Sequence, residues 1–239
     1  MKRSVLLLAL LGLSLGLTAT VLAATTAEEV ELSHALSTNL VTPHMDWGHG
    51  YVRGPLRALF FVFSGSYGGE WDEPGTRLRE VIELMQRFDI RGEAVFFGNS
   101  ASGWNFHGHA LGEARAERLL KQRYDLYVIA GFPFEKLPPR MQYEIMKPVA
   151  EGAGLLCCGP GAGEFMTAKR KLTPLSTFIS DGLPYLEGKA LSAPATTYRL
   201  GKGRGVWLNY GAWALTPNAP FSYRGLQEYE YRMLLVGRA

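Results

Sequence analysis

Three groups of residues in this 239-residue chain have types and spacing suited to chemistry. The first is GLLCCGPG (154–161), where an apolar run ends in two adjacent cysteines, then glycine and proline. A nucleophile on a sharp strand-to-helix turn would stand there, which makes Cys158 the candidate catalytic residue. A thiol with an ordinary pKa of about 8.5 needs a base or a positive field beside it to be a thiolate at neutral pH. The histidines are His34, His44, His49, His107 and His109, so none follows the cysteines. Free cysteine otherwise behaves as a small apolar side chain, and packing is the reading expected for Cys157 and Cys158. Adjacent cysteines cannot form a relaxed disulfide with each other, so no disulfide framework is expected.

The second group is His107-Gly108-His109, in NSASGWNFHGH after an apolar run. Two imidazoles one residue apart can ligate a metal if a carboxylate such as Asp72 or Glu113 joins them. The third is SGSYGGEWDEPG (64–75), which mixes glycines with Tyr67, Trp71 and three carboxylates. Aromatic faces stack on sugar rings and carboxylates accept from hydroxyls, and Glu70 with Asp72 could form an acid/base pair. The stretch lacks the glycine patterns of nucleotide sites, so no cofactor is expected.

The elements that must position these groups alternate along the chain. RALFFVF (57–63), EAVFFG (93–98), DLYVIAGF (125–132) and GLLCC (154–158) are short apolar runs with glycine stops, the pattern of strands buried on both faces. Between them, TRLREVIELMQRF (76–88) places Leu78, Val81, Ile82, Met85 and Phe88 at helical spacing. EARAERLLKQRY (113–124) reads as a second helix, and Pro138-Pro139 opens a third, which Pro148 should end or bend. Strands alternating with helices predict βαβ crossovers: an α/β, doubly wound, flavodoxin-like fold with a mostly parallel sheet of about five or more strands. GRGVWLNYG (203–211) is a further run, expected to close the sheet. Ligands of such sheets bind at the carboxyl ends of the strands, which predicts a ligand edge holding Ser64, Tyr67, Glu70, Trp71, Asn99, Phe132 and Gly159.

A strand, a glycine stop, a helix opened by Pro-Pro and a cysteine run bracketed by Gly154 and Gly159 together resemble the class I glutamine amidotransferase-like superfamily over residues 55–225. GHGYVRGPLRALFFV, YDLYVIAGFPFEKLP and GKGRGVWLNYG are similar to the amidotransferase-like and ThuA-like domains of large exported bacterial proteins, often found beside glycoside-hydrolase modules. In active members a cysteine on the elbow attacks the amide, and a later histidine, followed two residues on by glutamate, activates it. Here Leu208-Asn209-Tyr210-Gly211 stands where that histidine and glutamate would be, and if the strand end sets the register Gly159 takes the elbow. The resemblance therefore implies a domain without the Cys-His-Glu machinery, serving as a binding or structural module in a carbohydrate-related protein. The alternative is a hydrolase that uses Cys158 or a loop carboxylate with a histidine-held metal.

Residues 1–24 carry Lys2 and Arg3, then a long uncharged stretch and small residues at its end, the pattern of a secretory signal peptide cleaved after Ala23 or Ala24. The expected location is secreted or periplasmic, with an uncleaved membrane anchor as the alternative. Losing Lys2 and Arg3 takes the formal charge from +3 to +1, which implies no nucleic-acid partner and no stable membrane association after cleavage. The expected division is a signal peptide (1–23), an extended lead-in (24–54), the α/β domain (55–225) and a helix (226–239). In that helix Leu226, Tyr229, Met233 and Gly237 share a face, so it is expected to meet a neighbouring domain or a second copy. The ligand class expected is a carbohydrate or another small molecule.

Overall fold

The computed structural model describes residues 26–36, 50–67, 78–100, 102–159, 161–167, 196–208 and 236–237. The apolar runs become strands: β1 (Leu56–Tyr67), β2 (Ile90–Ser100), β4 (Leu126–Ala130), β5 (Gly154–Cys158) and β7 (Gly203–Leu208), with short β3 (Gly103–Phe106) and β6 (Thr196–Leu200). They form one seven-stranded sheet in the order β3-β2-β1-β4-β5-β7-β6. The five inner strands are parallel, and β3 and β6 are antiparallel edges. Numbered among themselves, the parallel strands run 2-1-3-4-5, the flavodoxin-like order.

Helices cover both faces. Helix α2 (Leu78–Arg87) lays Val81 and Leu84 on Ala58, Phe60, Val62, Ala94 and Phe96. Helices α3 (Ala110–Leu120) and α4 (Pro139–Glu151) bury Ala116, Leu119, Met141, Ile145 and Val149 against Leu59, Phe61, Val95, Phe97, Tyr127, Ile129 and Leu155. A short 3-10 turn (Phe134–Lys136) leads into α4, and α5 (Glu164–Thr167) follows β5. Successive residues of one strand point to opposite layers, which is why Cys157 belongs to the α3/α4 layer and Cys158 to the α2 layer.

Several expectations change. The lead-in over 24–54 is not simply extended, because α1 (Ala27–Ser33) forms within it. Thr26 Oγ1 accepts from the Glu29 N–H at 3.2 Å while Glu29 Oε2 accepts from the Thr26 N–H at 2.7 Å, a reciprocal capping box. Val30 then fills a notch at Gly108, where an added Cβ would lie 2.5 Å from Val30 Cγ2. Arg115, buried in α3, ties the helix down: its guanidinium pairs with Glu31 and, at 3.0 Å, with Glu93, and its Nε donates to the Ala94 carbonyl. Pro148 does not end α4, which continues to Glu151. β7 does not close the sheet, because β6 pairs outside it. Ser64 and Tyr67 lie in β1 and not in a loop, since that strand continues past an irregularity between Phe63 and Ser66.

Val236 is 5 % exposed and belongs to the α2-layer cluster with Val206 and Leu208. Of the apolar face read over 226–239, Leu226, Tyr229 and Met233 lie outside the described residues. At Val236, then, the C-terminal segment covers this sheet, where the sequence reading favours a surface elsewhere. Among the described residues no helix is long and apolar enough to cross a membrane.

Two outcomes follow from this packing. Deleting residues 226–239 removes Val236 from the cluster it shares with Val206 and Leu208 and is expected to cost about 1–3 kcal/mol, read as a melting temperature lower by about 3–10 °C. Cys157 is wholly buried, and burial raises its thiol pKa well above the ordinary value, with Cys158 and Glu135 adding to the rise. Neither Cys157 nor Cys158, the latter 4 % exposed, should react with a maleimide at pH 7 until the chain is unfolded. Rapid labelling of the folded protein would show an accessible thiol.

Candidate functional site

The first crossover helix, α2, lies on one face and the next two, α3 and α4, on the other, so the chain reverses direction across the sheet between β1 and β4. Two neighbouring strands whose connections leave in opposite directions open a crevice at their carboxyl ends. Phe63 and Ser64 come to this crevice from β1, and Gly131 and Phe132 follow β4. On its far side Gly131 donates to the Cys158 carbonyl at 2.8 Å, which holds the ends of β4 and β5 together.

The hairpin of β2 and β3 adds an aromatic floor. Asn99 lies opposite Trp104 and Phe97 opposite Phe106, so these four share the α3/α4 side of the sheet. The Trp104 indole stacks on Phe97 with centroids 5.6 Å apart and tilts against Phe63 at 5.9 Å and Phe132 at 6.0 Å. Phe97 and Phe132 are fully buried, whereas Phe63 and Trp104 are only partly covered and Asn99 is exposed. The result is an indole backed by three rings, bordered by an amide that can both donate and accept.

Of the expected ligand residues, Ser64, Asn99 and Phe132 gather at this carboxyl edge. Phe132 acts from beneath, because its ring is buried. Gly159 also stands at the edge, at the end of β5, with φ of 102°, a conformation that side-chain-bearing residues rarely adopt. Its carbonyl accepts from Trp207 Nε1 at 3.0 Å and its N–H donates to the Leu208 carbonyl at 2.9 Å. Gly159 therefore occupies the turn, and Cys158 is the last residue of the strand, inside the core. Tyr67 takes a backbone place in β1 opposite Ser100. Glu70, Trp71 and Asp72 lie outside the described residues. Trp104 and Phe63 are the site residues that the sequence reading misses. The signal for Trp104 was the alternation of Gly103-Trp104-Asn105-Phe106, a strand pattern inside what reads as a loop.

The histidines divide differently from their sequence spacing. His107 is half-buried and its N–H donates to the Phe96 carbonyl at 3.0 Å. Its pKa is lowered by burial and secondarily by His109. His109 is exposed and begins α3 with φ of 51°, uncommon for a residue with a side chain. Glu113 is exposed one turn further on. Among the described residues no three His, Cys, Asp or Glu side chains cluster to hold a metal, so His107, His109 and Glu113 do not form the expected site. One ring that meets His107 is His34, from the turn after α1, with centroids 5.4 Å apart, and another is Phe96 at 6.4 Å.

No protein-family model and no curated protein matches the chain. Among solved structures, it is similar to oxidised DJ-1 of Toxoplasma gondii, at 12% identity and a TM-score of 0.37, over 76% of this chain and 98% of that one.

Proposed function

We propose that this chain is an exported, amidotransferase-like binding module without catalytic machinery, which holds a carbohydrate at the carboxyl edge of its sheet. The observation that carries the reading is the Trp104 indole, partly open and backed by Phe63, Phe97 and Phe132, with exposed Asn99 directly across the hairpin. A sugar ring presents an apolar face and a rim of hydroxyls, and this pairing of an indole with an amide matches both. Burial of both thiols and the lack of any histidine after them argue against a cysteine hydrolase. The leader-like first 24 residues support export, and the sequence resemblance supports placement in a carbohydrate-related protein, alone or beside a further domain.

A glycan array probed with the full chain, followed by calorimetry on the best oligosaccharide, tests the reading. Asn99→Ala removes an exposed amide and should weaken binding about three- to tenfold with an unchanged melting temperature. Trp104→Ala should weaken it tenfold or more, since stacking on the indole is lost along with its buried area. If no glycan binds, or if both variants bind as the parent does, the assignment fails.

A further inference from the structure

His34 is the most thoroughly buried polar side chain of the N-terminal segment, at 0 % exposure. Its Nδ1 donates to the Val30 carbonyl at 2.7 Å, which fixes the tautomer and leaves the Nε2 lone pair bare. No hydrogen-bond partner meets that Nε2. A buried acceptor with nothing to accept from costs stability, and such an orphan calls for an explanation. Burial, the larger effect, and the nearby Arg115 hold its pKa at about 4, so the ring is neutral near pH 7.

We propose that His34 and His107 together bind one first-row transition-metal cation of the kind that prefers imidazole, with Zn²⁺ as its natural probe. Three features of the geometry support this. A metal-ligating histidine ordinarily donates its other ring N–H to a carbonyl, as His34 does to Val30. Two imidazoles on one ion at about 2.0–2.1 Å, with a tetrahedral to trigonal angle between them, have ring centres about 5.2–5.5 Å apart. The observed separation is 5.4 Å, with the rings inclined at 65°. Finally, Phe96 stacks on His34 at 4.9 Å and covers one side, and His107 is only half-buried.

Arg115, the positive group that helps lower the His34 pKa, is paired with Glu31 and Glu93, with Arg118 also on Glu31 at 2.7 Å, so that the two carboxylates offset part of its charge toward a bound cation. Two imidazoles leave coordination positions for water or for a donor from another molecule, as in metal sites that keep an open position. This site is separate from the indole platform, because Phe96 faces the α2 layer and Phe97 the α3/α4 layer. Neither assignment depends on the other.

The test uses the full chain without an affinity tag, stripped with a chelator and titrated with Zn²⁺ against a chromogenic competitor. One equivalent should bind and raise the melting temperature. His107→Ala, at a half-exposed position that should fold, is expected to lower the affinity at least tenfold. His34→Phe, which keeps a ring on Phe96, should do the same, whereas His109→Ala should bind as the parent does. Absence of a bound equivalent overturns the proposal, as does parental affinity in His107→Ala. Equal losses in His109→Ala and His107→Ala would assign the ion to the loop pair and also overturn it. Should His34→Phe fail to fold, the His107 and His109 variants decide the matter.

Discussion

The double burial of β1 is the constraint on which the rest of this structure depends. It pairs with β2 from Leu56 to Tyr67 and with β4 from Ala58 to Val62, and its side chains alternate between the two apolar layers. No polar side chain fits such a strand without a buried partner, so ALFFV (58–62) is apolar at every position and carries no period-two signal. Because β1 has neighbours on both sides, the chain must leave it once toward β2 and later return on the far side to β4. That reversal places α2 on one face and α3 and α4 on the other, and it opens the crevice where Phe63, Phe132 and Trp104 meet.

The two candidate sites differ in how they are assembled. The indole platform is local to a hairpin and rests on core rings, so its floor is as rigid as the α3/α4 layer beneath it. The histidine pair joins the turn after α1 to the β3–α3 turn, two segments far apart in the chain. Its geometry is only as stable as the seat of α1, which consists of Val30 in the notch at Gly108 and Glu31 on Arg115 and Arg118. An ion pair that leaves Glu31 about half exposed contributes modestly, so packing at Val30 is the firmer part of that seat.

The parallel sheet was legible because each inner strand is an apolar run with a glycine stop, and because α2, α3 and α4 have recognisable helical spacing. What escaped reading has physical reasons. β3 is four residues long, too short for periodicity to separate a strand from a loop, and with it went Trp104. The extension of β1 through Gly65 reads as a turn in the sequence because glycine ordinarily weakens a strand. Helix α1 did have a local signature, Thr26-x-x-Glu29, but its turn-rich surroundings outweighed it. The approach of His34 to His107 was beyond reach, because no local rule relates side chains more than seventy positions apart. The burial of Cys157 and Cys158 could be foreseen, since both lie in an apolar strand and no histidine follows them.

The seat of α1 also bears on the order in which the molecule assembles. Glu31 and Arg115 are 84 residues apart, and a seven-residue helix is barely stable alone even with a capping box. A chain that emerges with its N-terminus first exposes α1 long before α3 exists to receive it. The seat of α1 is complete only when the turn carrying Gly108 and the helix carrying Arg115 are in place. In time as well as in space, α1 depends on a surface made by later parts of the chain.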